Sequence, residues 1–116
     1  MKKIVLIVVV IIFGMQVHAQ ESNARATIEV DGVCLMCKER IEKAAIKTKG
    51  VKSAVWNVET HMLSLIYDER KTSLPLIHES VAAAGHDTKE IIAPEKAYEN
   101  LHACCKYRDA SVVNEH

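Results

Sequence analysis

The chain has 116 residues, 49% of them hydrophobic, which leaves room for one small domain beside any targeting segment and excludes a multi-domain enzyme. Fifteen Lys and Arg balance fifteen Asp and Glu, and aromatics make up only 4%, so the basic, aromatic-studded composition of a nucleic-acid binder is missing and DNA or RNA is not an expected partner. Charged residues at 26%, with four Gly and two Pro, also exclude a disordered or collagen-like chain, and what stands out is the four Cys and six His.

Met1-Lys2-Lys3 opens the chain with positive charge, Ile4 to Phe13 is an unbroken apolar run, and Gly14 to Ala19 is more polar and ends in Val17-His18-Ala19. This is the pattern of a secretory signal peptide over residues 1–19, cut before Gln20. The apolar run is shorter than the roughly 20 residues of a membrane helix, so no stable membrane insertion is expected after cleavage. The cut removes Lys2 and Lys3, leaves two more acidic than basic groups and keeps all four Cys. The remainder is expected in the periplasm or outside the cell, where disulfides can form.

Ala24, Ala26, Ile28 and Val30 alternate with polar residues, the period of a half-buried strand. Gly32 and Cys34 break the pattern as a loop. From Cys37 the small or apolar residues recur at helical spacing (Ile41, Ala44, Ala45, Thr48) until Gly50. Val51 to Val58 and Met62 to Tyr67 read as a hairpin joined at Glu59-Thr60. Thr72 or Ser73 caps a second helix with Pro75 in its first turn and Leu74, Ile77, Val81 and Ala84 on its buried stripe; Gly85 ends it. A last short strand is expected over His86 to Ile92. The order is βαββαβ, an α+β split βαβ arrangement with both helices on one face of an antiparallel sheet. Pro94 marks a boundary, after which Glu95 to Tyr107 is expected as one amphipathic helix and Arg108 to His116 as a frayed end. No internal repeat or low-complexity run is present.

Cys34-Leu35-Met36-Cys37 sits where the loop enters the first helix. A helix N-terminus favours thiolate, and soft thiolates select Cu(I), Zn(II) and Hg(II) over Ca(II) and Mg(II). The same spacing also serves a redox dithiol or a structural disulfide. Two ligands leave a site open to attack by another protein's thiolates, which suits transfer of an ion better than its storage.

Asp31-Gly32-Val33-Cys34-Leu35-Met36-Cys37, the helix to Lys49-Gly50-Val51, the hairpin ending Tyr67-Asp68 and the helix ending Ala84-Gly85-His86 resemble the heavy-metal-associated domain of copper chaperones, metal-transporting ATPase modules and periplasmic mercury-binding proteins. The resemblance spans residues 24–92 and implies a ferredoxin-like fold, with residues 93–116 as a C-terminal helical tail. It also implies one soft ion held by Cys34 and Cys37, and a metal-transporting membrane protein as partner. Cu(I) is the first candidate, with Hg(II) and Zn(II) as alternatives. The chain departs from the family where a Met usually packs under the metal loop, because Gly32 stands there, and Val33 stands where Thr or Ser is usual.

Other residues are read beside their plainer roles. His86, in the position where related domains often carry Tyr, is a candidate third ligand or gate, or a surface loop residue. His61, His78 and His102 are expected to be partly exposed polar residues, and Met36 is expected to point away from the ion. Lys38, Arg40, Lys43, Lys47, Lys49 and Lys52 outnumber Glu39 and Glu42, a face that either steers an acidic partner or is simply solvated.

Cys104 and Cys105 are adjacent, with Cα atoms about 3.8 Å apart, so a disulfide within the pair is strained. They join Cys34 and Cys37 around the ion, form a second site with His102, or serve as disulfide partners of the motif. A final strand antiparallel to the first starts the tail at the sheet end opposite the metal loop, so a helix of about ten residues, roughly 15 Å long, has to bring the pair back. The chain is expected to be a non-enzymatic exported protein that binds and passes on a soft ion. The alternative is a periplasmic thiol-disulfide oxidoreductase working through the same Cys34 and Cys37.

Overall fold

The computed structural model describes residues 23–116; the signal-peptide reading of residues 1–19 lies outside them. Strand β1 (Asn23–Glu29) leads through the cysteine loop into α1 (Leu35–Lys47), followed by the hairpin β2 (Val51–Trp56) and β3 (Met62–Asp68) and by α2 (Leu74–Ala83). The sheet is antiparallel, in the order β1-β3-β2. Its register puts Ile28, Leu63 and Trp56 in one row, all buried, and Thr27, Ser64 and Val55 in the adjacent row, all exposed. One face is therefore core and the other is solvated, as the alternation in β1 predicts. Cys37, Ile41 and Ala45 of α1 and Ile77 and Val81 of α2 close the same cluster. The fold is the expected ferredoxin-like α+β arrangement with a C-terminal helical tail.

The hairpin turn is wider than Glu59-Thr60. Asn57 Oδ1 accepts from the N–H of Glu59 and Thr60, at 2.8 and 3.0 Å, and His61 takes a positive φ of 63°. Asn side chains hold such turns by mimicking backbone acceptors, which stops β2 at Trp56 rather than Val58.

The expected strand over His86 to Ile92 does not form. It is reduced to one bridge, Val30 with Thr88. The Thr88 hydroxyl accepts from the N–H of Ile91 at 3.0 Å, while the Thr88 N–H donates to Ile91 O at 2.8 Å, so the chain turns instead of running down β1. Asp87 Oδ1 then accepts from the Ala93 N–H at 2.7 Å, closing a small loop. The tail consequently starts beside Val30, at the metal-loop end of the sheet, and has no strand length to retrace.

Nor is the tail one helix. It comprises α3 (Glu95–Glu99), a 3-10 turn (Ala103–Cys105) and α4 (Ala110–Asn114). Lys106 Nζ donates to the carbonyls of Tyr98 and Glu99, at 2.8 and 2.7 Å, ending α3, and Leu101 is buried. The Tyr107 hydroxyl donates to Gly85 O at 2.7 Å and accepts from the Asp87 N–H at 2.9 Å. Arg108 pairs with Asp87 at 2.7 Å and lies 4.2 Å from the centre of the Tyr98 ring. These anchors to the domain outweigh the continuous helical stripe. The end is not frayed, because Asp109 caps α4 through the N–H of Ser111.

Gly85 is the pivot of this docking. Its φ is +109°, and a Cβ there would lie 2.8 Å from Ala97 O and 2.9 Å from Leu101 Cδ2. Gly85→Ala is expected to cost about 2 kcal/mol, lowering the melting midpoint by roughly 10 °C and displacing the tail. Thermal unfolding by circular dichroism, with wild type alongside, checks it.

Candidate metal centre

Cys34 is the N-cap residue of α1, in extended conformation, with its carbonyl accepting from the Lys38 N–H at 3.0 Å. Cys37 lies one turn later on the buried stripe and is wholly buried, whereas Cys34 is half-buried. The helical turn brings their Sγ atoms to 3.5 Å. Cys105 comes from the tail, wholly buried, with its Sγ also 3.5 Å from that of Cys34. Cys104 stays half-buried, and its Sγ lies within 4.8 Å of both Cys34 and Cys105. The 3-10 turn explains the split, since three residues per turn set neighbouring side chains about 120° apart and only one of an adjacent pair can point inward. All four thiols are free.

Thiolate to zinc bonds are about 2.3 Å, so two sulfurs on one such ion sit roughly 3.8–4.6 Å apart depending on geometry. The 3.5 Å pairs need only a small opening to admit a soft ion. Burial alone pushes the Cys34 thiol up, but the Cys37 N–H and the thiols of Cys105 and Cys37 hold it below its ordinary value. Burial raises Cys37 and Cys105, the latter strongly and helped by the two neighbouring sulfurs. Of these three, Cys34 is thus the thiol most ready to meet an incoming ion.

His86 is not a surface residue, and it stands outside the cluster of Cys34, Cys104 and Cys105, whose sulfurs lie within 4.8 Å of one another. It is wholly buried, its Nδ1–H donates to Asp31 O at 2.8 Å, and its ring stacks on Tyr107 with centroids 5.4 Å apart. Burial pulls it down to about 4, which keeps the ring neutral at physiological pH. It braces the strand end that precedes the cysteine loop. His78 is also buried, contrary to expectation, and shares a 2.8 Å hydrogen bond with the Thr88 hydroxyl. His61 is half-buried against Trp56, and His102 is exposed.

Sequence reasoning overlooked Trp56. Its Nε1–H donates to Val30 O at 3.0 Å, and its ring edge lies 3.0 Å from where a Cβ on Gly32 would stand. The indole fills the space under the metal loop, so the missing side chain at Gly32 was the available signal. Sequence reasoning did not foresee the neighbour of Met36: the side chain is 43% exposed, and its Sδ lies 3.4 Å from Cys104 Sγ.

The basic face is partly structural. Lys38 pairs with Glu42 and donates to Trp56 O at 2.9 Å, while Glu42 accepts from the Trp56 N–H at 2.8 Å, tying α1 to β2. Arg40, Lys43 and Lys47 instead line an open groove of about 690 Å³ between α1 and α2 that reaches Met36.

The profile of the heavy-metal-associated domain matches residues 27–87. A copper chaperone, CopZ, from Staphylococcus saprophyticus is 30% identical over 67 residues, covering 57% of this chain and 98% of its own. The oxidised MerP structure from Ralstonia metallidurans superposes with a TM-score of 0.55 at 28% identity, over 58% of this chain and 94% of its own. The N-terminal domain of a potential copper-translocating P-type ATPase from Bacillus subtilis, determined in its Cu(I)-loaded state, gives 0.55 at 28%, over 58% and 85%. The family match ends before the tail, so Cys104, Cys105 and Tyr107 lie beyond it.

Proposed function

The chain belongs to the heavy-metal-associated domain family, and from that premise we propose that it captures a soft ion, Cu(I) in the first place, and passes it on without catalysing a reaction. Cys34 and Cys37 take the ion, and Cys105 closes on it as a third thiolate. The observation that carries this is the convergence of two sulfurs on that of Cys34, those of Cys37 and Cys105, each at 3.5 Å. Three thiolates with no hard oxygen donor suit Cu(I) or Hg(II), and Cys104 as a fourth suits Zn(II).

Release follows from the tail. With Cys105 withdrawn, the ion keeps two ligands and an open position, which another protein's thiolates can fill before the bonds to Cys34 and Cys37 break. A metal-transporting membrane protein with an acidic docking face is the receiver we propose, because Arg40, Lys43 and Lys47 line the groove that reaches Met36. We place this exchange outside the cytoplasm, on the strength of the basic start and apolar run of residues 1–19.

Anaerobic titration of the reduced chain with Cu(I) against a chromophoric competitor is expected to show one tightly held ion, with Hg(II) also bound and Zn(II) held less firmly. The same preparation is expected to be inactive in insulin reduction. Failure to compete for Cu(I), together with reductase turnover, would overturn the reading in favour of the thiol-disulfide alternative.

A further inference from the structure

Cys104 stands at the edge of the proposed three-thiolate site, with its sulfur within 4.8 Å of those of Cys34 and Cys105. It faces outward from the 3-10 turn, half-buried, and its thiol contacts Met36 Sδ at 3.4 Å. Met36 lies in the first turn of α1, between the motif cysteines, and is 43% exposed. The two sulfurs share a mouth of about 460 Å³ whose walls include Cys34, Leu35 and Val58. Leu35 is 70% exposed there, although a helix position of this kind could equally carry a polar side chain. A thioether and a thiol in van der Waals contact at an apolar rim form a soft donor pair that carries no fixed negative charge. Such a pair has little to offer Ca(II), Mg(II) or a proton, and much to offer a d10 monovalent ion.

Resting on the reading of Cys34, Cys37 and Cys105 as the principal site, we infer that Met36 and Cys104 form a second, outer station for Cu(I), where the ion lands before moving inward. On landing, Cys104 loses its thiol proton to solvent and the ion bonds to Cys104 Sγ and Met36 Sδ. The Cys104 sulfur lies within 4.8 Å of those of Cys34 and Cys105, so it can bridge the two stations. The bond to Cys34 forms as that to Met36 breaks, with the Cys34 proton going to solvent; Cys37 and Cys105 then bond to the ion, each losing its proton to solvent, as Cys104 leaves and is reprotonated. The ion remains Cu(I) throughout and no electron is exchanged.

The test uses the reduced full chain labelled with 13C at the methionine methyl groups and titrated with Ag(I), a diamagnetic stand-in for Cu(I). The Met36 methyl resonance is expected to move between one and two equivalents, after the inner site has filled, while that of Met62 on β3 stays in place. Met36→Leu, close in volume and at an exposed position, is expected to keep the inner affinity within about twofold while slowing Cu(I) uptake from its bicinchoninate complex about tenfold. Cys104→Ser is expected to abolish the Met36 shift. A Met36 resonance that is silent up to two equivalents, or wild-type uptake in Met36→Leu, overturns the outer station and leaves the inner site standing. A wild-type chain that binds no Ag(I) at all fails the principal site instead.

Discussion

Replacing Cys34 and Cys37 together is expected to lower the affinity for Cu(I) by more than about a hundredfold, since even the loss of a residue that only supports a metal ligand costs 10–100-fold. Both sulfurs that enter from α1 are then gone, and Cys105 and Cys104 retain the ion without the helix N-terminus behind them. Serine is the natural replacement at half-buried Cys34. Cys37 is wholly buried among Ile41, Trp56 and their neighbours, so a hydroxyl there costs about 1–3 kcal/mol unless it finds a partner. The Cys34→Ser, Cys37→Ala variant avoids that cost, and near-ultraviolet circular dichroism of Trp56 reports whether the core has survived. An intact core with unchanged affinity would remove these thiolates from the site.

Ending the chain at Ala93 is expected to have the second large effect, on stability and coordination together. The deletion takes away Leu101 and Cys105, both buried in the main cluster, and the Tyr107 hydroxyl that joins Gly85 to Asp87. Losing one buried leucine costs about 2–5 kcal/mol, a large share of the roughly 5–15 kcal/mol that holds a domain together. Urea unfolding is the measurement. In coordination, X-ray absorption of the Cu(I)-loaded protein should fall from three sulfur ligands to two. The variant Cys104→Ser, Cys105→Ser keeps the tail in place and separates the effects: the third sulfur goes, while the melting midpoint falls far less than on deletion. A truncated chain as stable as wild type, with the same sulfur count, would make the tail an independent appendage.

The paired cysteines, the two helices and the hairpin were legible because each depends on local pattern. Ile41 and Ala45 repeat at helical spacing, Ala24 to Ile28 alternate, and Gly50 and Gly85 stand where their positive φ angles of 98° and 109° are needed. What escaped depends on partners distant in sequence. The final strand has adequate composition, yet the Thr88 hydroxyl satisfies its own backbone neighbours and ends the ladder after one bridge. The tail has an adequate helical stripe, yet Leu101 and Tyr107 are worth more against Gly85, His86 and Asp87 than in a continuous helix. The contact between Met36 and Cys104 crosses 68 positions, and no short-range pattern announces it. Trp56 beneath Gly32 is an intermediate case, since a vacant position in the loop asks for a filler without naming it.

Reducing the fourth strand to one bridge also leaves the sheet with a bare margin. Among the described residues, β1 from Asn23 to Ile28 pairs only with β3 on one side, and its other row of amides and carbonyls meets no strand. Margins of this kind template the addition of another chain, and they are usually blunted by charge and shortness. Here the strand is seven residues long, and Arg25 and Glu29 stand exposed along it. Charge in such a place disfavours edge-to-edge joining of separate molecules, a consequence unconnected with metal.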